Sequence, residues 1–257
     1  MKQKKDKRKP LRKPFFRFVK GILKIFIRKP KVLNANEDGL DENAIYITNH
    51  VGASVPLRME LYFPHEFKFW GTYEMVFTYG ERWKYLRTTY FHDKKHNNKF
   101  VANIKGTLAL PFLSSFYRGM QLIPTYPDGR LLKTIRYSTD FLGKGYSVII
   151  FPENSSDGYH DVLTHYFAGF IMLAKSYYKK YGKNIKIYNM YYRKKDNTLL
   201  IDKYTTIEEI LKDERDMRVI ANDFRDRANA IANIKTIDDF AKSNEELNKM
   251  ANETKQG

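Results

Sequence analysis

The 257-residue chain is long enough for one large domain or two small ones, and its 42% apolar and 15% aromatic content supplies a sizeable core, which excludes a disordered polymer. It contains no cysteine, which excludes a disulfide framework, a thiolate metal site and a thiol nucleophile, and fits a reducing compartment. The net charge of +17 is unevenly spread: residues 1–31 hold 14 Lys and Arg against one Asp, so the rest of the chain is only mildly basic.

The first element in chain order is the segment "PFFRFVKGILKIFIRK". At 100° per residue, Arg17, Lys20, Lys24 and Arg28 fall within an arc of about 80°, and Phe15, Phe18, Val19, Ile22, Leu23, Ile25 and Phe26 fill the opposite side. Pro14 suits a first helical turn and Pro30 ends the run. Such a basic amphipathic helix is too short and too charged to span a bilayer. It matches a helix lying in the plane of anionic headgroups, held in addition by the preceding cluster "KQKKDKRKPLRK". An ordinary helix docked on the domain is the competing reading. No run of 18 apolar residues occurs, and no small-residue cleavage site follows the apolar block, so neither a spanning helix nor a secretory leader is expected. No zinc-finger spacing or aromatic RNA-binding motif supports a nucleic-acid partner.

Residues 32–257 read as one domain in which strands and helices alternate, the signature of an α/β fold with a mixed, mostly parallel central sheet flanked by helices. Strands are expected at 44–48, 66–71, 120–125, 146–151, 185–192 and 197–202. Helices are expected near 56–63, 72–88, 98–115, 130–143, 162–181 and 206–232. The polar end, residues 243–257, is expected to fray. Polar clusters follow three strands: "TNHVGAS", "IPTYPDGR" and "FPENSSDG". In open α/β sheets ligands gather at strand ends, so neighbouring strands would bring His50, Arg130 and Glu153 into one cleft as a base, a cation and a carboxylate. His160 and His165 are five residues apart, off the spacing that puts two metal ligands on one helix face, and no metal site is expected. The aromatic run 70–91 suits either a core or an acyl-chain groove.

Four blocks in order carry a family resemblance. Asn49-His50 follows the first strand; "LIPTYPDGR" (122–130), "GYSVIIFPENSS" (145–156) and "FAGFIMLAK" (167–175) come next, before the strand "IKIYNMYY". The chain in this respect resembles the lysophospholipid acyltransferases, the glycerol-3-phosphate/1-acylglycerol-3-phosphate acyltransferase superfamily. The resemblance implies transfer of a fatty acyl group from a thioester, carried by coenzyme A or an acidic acyl carrier protein, to a lipid hydroxyl. The setting it implies is the cytoplasmic face of a membrane, held peripherally, with no metal or tightly bound cofactor. It makes His50 the general base and Glu153 an orienting or acceptor-binding acid, with Asn49, Ser54, Arg130, Asn154, Ser155 and Gly169 around the substrate.

The sequence departs from the family pattern at several places. The acid that should lie five residues after the histidine is Val55, the arginine after the glutamate is Ser156, and the last-block proline is Asn189. The second-block arginine has no clean counterpart, since Tyr126 sits near its place and Arg130 comes late. Ser54, Glu153, Glu60 or Glu74 could orient His50 in place of the acid. Without a replacement, loss of a triad-type acid costs about 10⁴ in rate. An active enzyme and a catalytically impaired lipid-binding homologue therefore both remain open.

Overall fold

A computed structural model describes residues 10–76, 78–153 and 160–240. The centre of its sheet is strand β2 (Ile45–Thr48), parallel to β5 (Ser147–Ile150) on one side and to β6 (Lys186–Arg193) on the other. Beyond β5 lie β3 (Phe67–Thr72) and β4 (Ile123–Thr125), both parallel. Beyond β6 the antiparallel β7 (Thr198–Ile201) pairs with β1 (Lys31–Asn34), and the short β8 (Thr205–Thr206) also pairs with β6. The order is β1-β7-β6-β2-β5-β3-β4, a mixed and mostly parallel sheet, as the alternating pattern implies.

Successive side chains point to opposite faces of a strand, and both faces here are covered. Ile45, Ile47, Val148 and Ile150 enter one core with Phe170, Leu173 and Phe224, supplied by helices α7 (Gly169–Tyr181) and α9 (Met217–Ile231). Tyr46, Ile149 and Tyr188 enter the other, against Val55 and Met59 of α2 (Ser54–Tyr62). Burial on both sides is why these strands read as continuous apolar runs.

Helix α1 (Pro14–Phe26) is tied to the domain. Phe16 is buried against Phe116, with ring centroids 5.5 Å apart, in a slot that a side chain at Gly119 would close. Arg12 Nε and Nη2 donate to the buried Glu60 carboxylate at 2.8 and 2.7 Å, and Lys20 adds a third bond at 2.9 Å. Docking uses only one side of the helix. Phe15, Phe18, Ile22, Ile25 and Phe26 point outward. No helix among the described residues is long and apolar enough to cross a membrane.

Several elements differ from their expected extents. The helix expected over 72–88 is broken into α3 (Tyr73–Val76), α4 (Tyr79–Tyr85) and a π-helical stretch, Leu86–Lys94. Thr78 and Glu81 form a reciprocal capping box that starts α4 afresh. Helix α5 (Lys99–Met120) runs past its expected end, and left-handed Gln121 stops it before β4. Helix α6 (Leu131–Gly143) lies where expected. The segment 162–168 is not helical, because Tyr166 bridges to Glu153 and the Leu163 main chain bonds at both ends to Asn229. The last expected helix is split into α8 (Ile207–Leu211) and α9, the latter capped by Asp216. The basic cluster before residue 10 and the polar end beyond 240 lie outside the described residues.

Candidate functional site

Because β2 and β5 are parallel neighbours, the residues just past their ends meet although they are about a hundred positions apart. The Glu153 carboxylate accepts the His50 main-chain N–H at 2.7 Å. The His50 ring meets the Phe151 ring edge-on, centroids 4.6 Å apart, and Phe151 stacks on Phe69 at 5.7 Å. The acid therefore holds the histidine's backbone, while an aromatic wall limits its ring. Gly52, at φ +56°, takes the left-handed turn that carries the chain from β2 into α2.

Asn49 is buried, and its amide forms a reciprocal pair with the main chain of Tyr192: Nδ2 donates to the carbonyl at 3.1 Å and Oδ1 accepts the N–H at 2.7 Å. The side chain thus continues the β2–β6 ladder one residue past the strand and fixes where His50 begins. Ser54 opens α2; its N–H donates to Val51 and its carbonyl accepts from Arg58. Val55 is fully buried in the apolar layer with Tyr46, Met59 and Phe67, so the position that would carry the family's acid is a core position here. Glu60 is engaged by Arg12 and Lys20, and Glu74 accepts from Thr72, so both acids have partners on other elements.

The three polar strand ends do not all adjoin. Strand β3 separates β4 from β5, so the strand that leads to Arg130 is two positions from the one that leads to Glu153, the strands being about 10 Å apart in the sheet plane. Arg130 forms a two-pronged pair with Asp128, Nε–Oδ1 2.9 Å and Nη2–Oδ2 2.8 Å, and lies over Tyr126 and Tyr73. Hydrogen bonds from Arg130 lower the Asp128 pKa to about 2. Gly169 begins α7 where a Cβ would come 3.1 Å from the Trp70 ring, whose Nε1 donates to Ser138. Asn154 and Ser155 lie outside the described residues.

Tyr166 was not singled out by sequence. It is fully buried, bridges Glu153 through the main chain, and its hydroxyl has no hydrogen-bond partner among the described residues. Burial first, and then the charge of Glu153, push its pKa well above the ordinary value. Tyr191 donates to the Asp161 carbonyl at 2.6 Å, and burial followed by the charges of Asp161 and Glu153 raises it to about 12. Both phenols therefore stay protonated beside a carboxylate. Nothing in the local sequence marks Tyr166, one tyrosine among 19.

Among the described residues no group of three His, Cys, Asp or Glu side chains is placed to hold a metal ion. Compared with family models, with curated proteins and with solved structures, the chain matches none.

Proposed function

We propose that the chain transfers a fatty acyl group from an acyl thioester to a hydroxyl of a lysophospholipid or related glycerolipid at a membrane surface, on an acyltransferase-like fold. The observation that carries this reading is the meeting of His50 and Glu153 at the ends of adjacent parallel strands. In the reaction, His50 takes the proton of the acceptor hydroxyl as its oxygen attacks the thioester carbonyl. The C–S bond then breaks, and the proton passes to the departing thiolate, leaving ester and thiol. Glu153 serves by holding the backbone from which the imidazole projects. The acyl donor, carried by coenzyme A or an acidic carrier protein, is a substrate, and the mechanism calls on no metal.

The N-terminal segment, residues 1–31, acts in this proposal as a basic amphipathic anchor, peripheral on the cytoplasmic face. Its outward Phe15, Phe18, Ile22, Ile25 and Phe26 support that role, because they remain exposed after the helix has docked. One observation favours a second reading, a catalytically impaired lipid-binding homologue. Val55 is sealed in the core, and Glu60 and Glu74 have partners on other elements. An acyl-transfer assay with thioester donors and a panel of lysolipid acceptors separates the two. Turnover by the wild type and loss of about 10³-fold or more in His50→Ala is expected for the enzyme. Turnover indifferent to His50, or none on any acceptor, leaves the binding reading.

A further inference from the structure

Between β3 and β4 the chain makes a long excursion, residues 73–120, through α3, α4, the π-helical stretch and α5. Along α5, Phe100, Ile104 and Leu108 recur every fourth residue and are 74%, 46% and 76% exposed. They form one stripe, since a four-residue step advances only about 40° around a helix. The opposite side of α5 packs on the domain, with Ala102 and Leu110 buried. Thr107 accepts from Trp83, and a Cβ at Gly106 would lie 3.2 Å from the Arg87 main chain, so the helix already packs on its neighbours. The stripe lies on the exposed side.

Outside residues 1–31, the positive charge is concentrated on the same segment. Residues 73–120 hold eight Lys and Arg against three Asp and Glu, a net +5. With the +13 of residues 1–31 set aside as well, what remains of the chain is close to neutral, at −1. On α5 itself the exposed Lys105 lies about 60° around the helix from Leu108, and the exposed Lys99 precedes Phe100 at the helix start. The two basic segments are also joined. Phe16 packs on Phe116 near the end of α5, and Gln121 Nε2 donates to the Leu11 carbonyl at 2.8 Å.

We propose that the α5 stripe is a second membrane contact, in which Phe100, Ile104 and Leu108 enter the headgroup region of an anionic bilayer while the cations of the surrounding basic segment, Lys105 beside Leu108 among them, meet its phosphates. An exposed apolar stripe on a basic segment is the pattern that lies in such an interface. A second copy of the chain would instead set like charge against like. The inference rests on the reading of the protein as membrane-bound, but not on acyl transfer.

The absence of cysteine allows a single-site test on the full chain. An environment-sensitive fluorophore is attached at Leu108→Cys, at Phe26→Cys on α1, or at Ile237→Cys, an exposed position far along the chain. Each protein is mixed with phosphatidylglycerol-containing or pure phosphatidylcholine vesicles. The probe at 108 is expected to brighten several-fold with the anionic vesicles and to be quenched by brominated lipid, while the probe at 237 stays unchanged. A probe at 108 that remains in water while the probe at 26 brightens overturns this inference and leaves the tail anchor standing. Silence at both positions overturns both. Brightening at 108 with protein concentration alone shows that a second copy covers the stripe, and also overturns it. As a companion, F100S/I104S/L108S is expected to lower partition into anionic vesicles about tenfold with an unchanged circular dichroism spectrum.

Discussion

The β2–α2 corner and the β3–β4 excursion leave the same edge of the sheet and treat their residues in opposite ways. In the corner, an amide side chain and a main-chain N–H are turned inward and bonded to residues far along the chain. Asn49 closes on Tyr192, the His50 main chain closes on Glu153, and Val55 is sealed in the apolar layer behind them. In the excursion, apolar side chains are turned outward among cations. The comparison teaches that the position of the candidate site is set by long-range main-chain bonding, whereas the surface around α5 keeps apolar side chains exposed.

The largest test of that contrast is Val55→Asp. If the corner is sealed, an acid at position 55 buries a charge in an apolar layer and costs about 3–5 kcal/mol, read as a lowered urea midpoint. A normally stable variant with faster acyl transfer would break the contrast, showing that position 55 can reach His50. Glu60→Ala comes next, because it strands the buried Arg12 guanidinium. A loss of about 3 kcal/mol is expected, together with faster proteolysis within residues 10–30 as α1 detaches. A tail that stays docked would mean that the Phe16 slot suffices without the ion pair.

Asn49→Ala removes both partners of the Tyr192 main chain, and about 1–3 kcal/mol should follow. Acyl transfer should fall as well, because His50 loses its anchor point; an unchanged rate would separate the ladder extension from the site. The smallest effect concerns the excursion's rim. Asp128 is exposed and paired with Arg130, which lowers its pKa from 3.8 to about 2. A depressed carboxylate pKa adds stability that is present above the unfolded value and is lost as pH falls through the folded one. The start of α6 should therefore loosen between about pH 4 and 2. Asp128→Asn should abolish that step in an amide-exchange profile, and its persistence would assign it to another group.

Much of the fold was legible because its strands are buried on both faces. The runs that became β2, β5, β6 and β7 are mostly apolar and buried along their length, and β3 shows alternation instead, with Phe67 and Phe69 buried. The edge strands β1 and β8 were missed. β1 buries only Leu33 and β8 has two residues, so neither leaves a period to read. The break before α4 did leave a signal, the Thr78-x-x-Glu81 capping box, hidden inside an aromatic run that looked continuous. At the site, His50 and Glu153 could be singled out by their place after apolar strands. The parts played by Asn49 and Tyr166 could not, because Tyr192 lies 143 residues from Asn49 and the burial of Tyr166 is a property of packing.

Sequence by itself determined what is periodic and local: the alternation of strands and helices, the segregation of charge into the tail, and the amphipathic pattern of residues 14–28. Only the tertiary structure decided which side of each pattern finds a partner. Helix α1 is amphipathic in either reading, yet Glu60, Phe116 and the Gly119 slot decide that one side docks and another stays exposed. Val55 is apolar in any reading, yet the rotation of α2 puts it in the core. A periodic pattern records that a face needs burial or water. The partner that meets it is set by contacts between residues far apart in the chain, which no local pattern encodes.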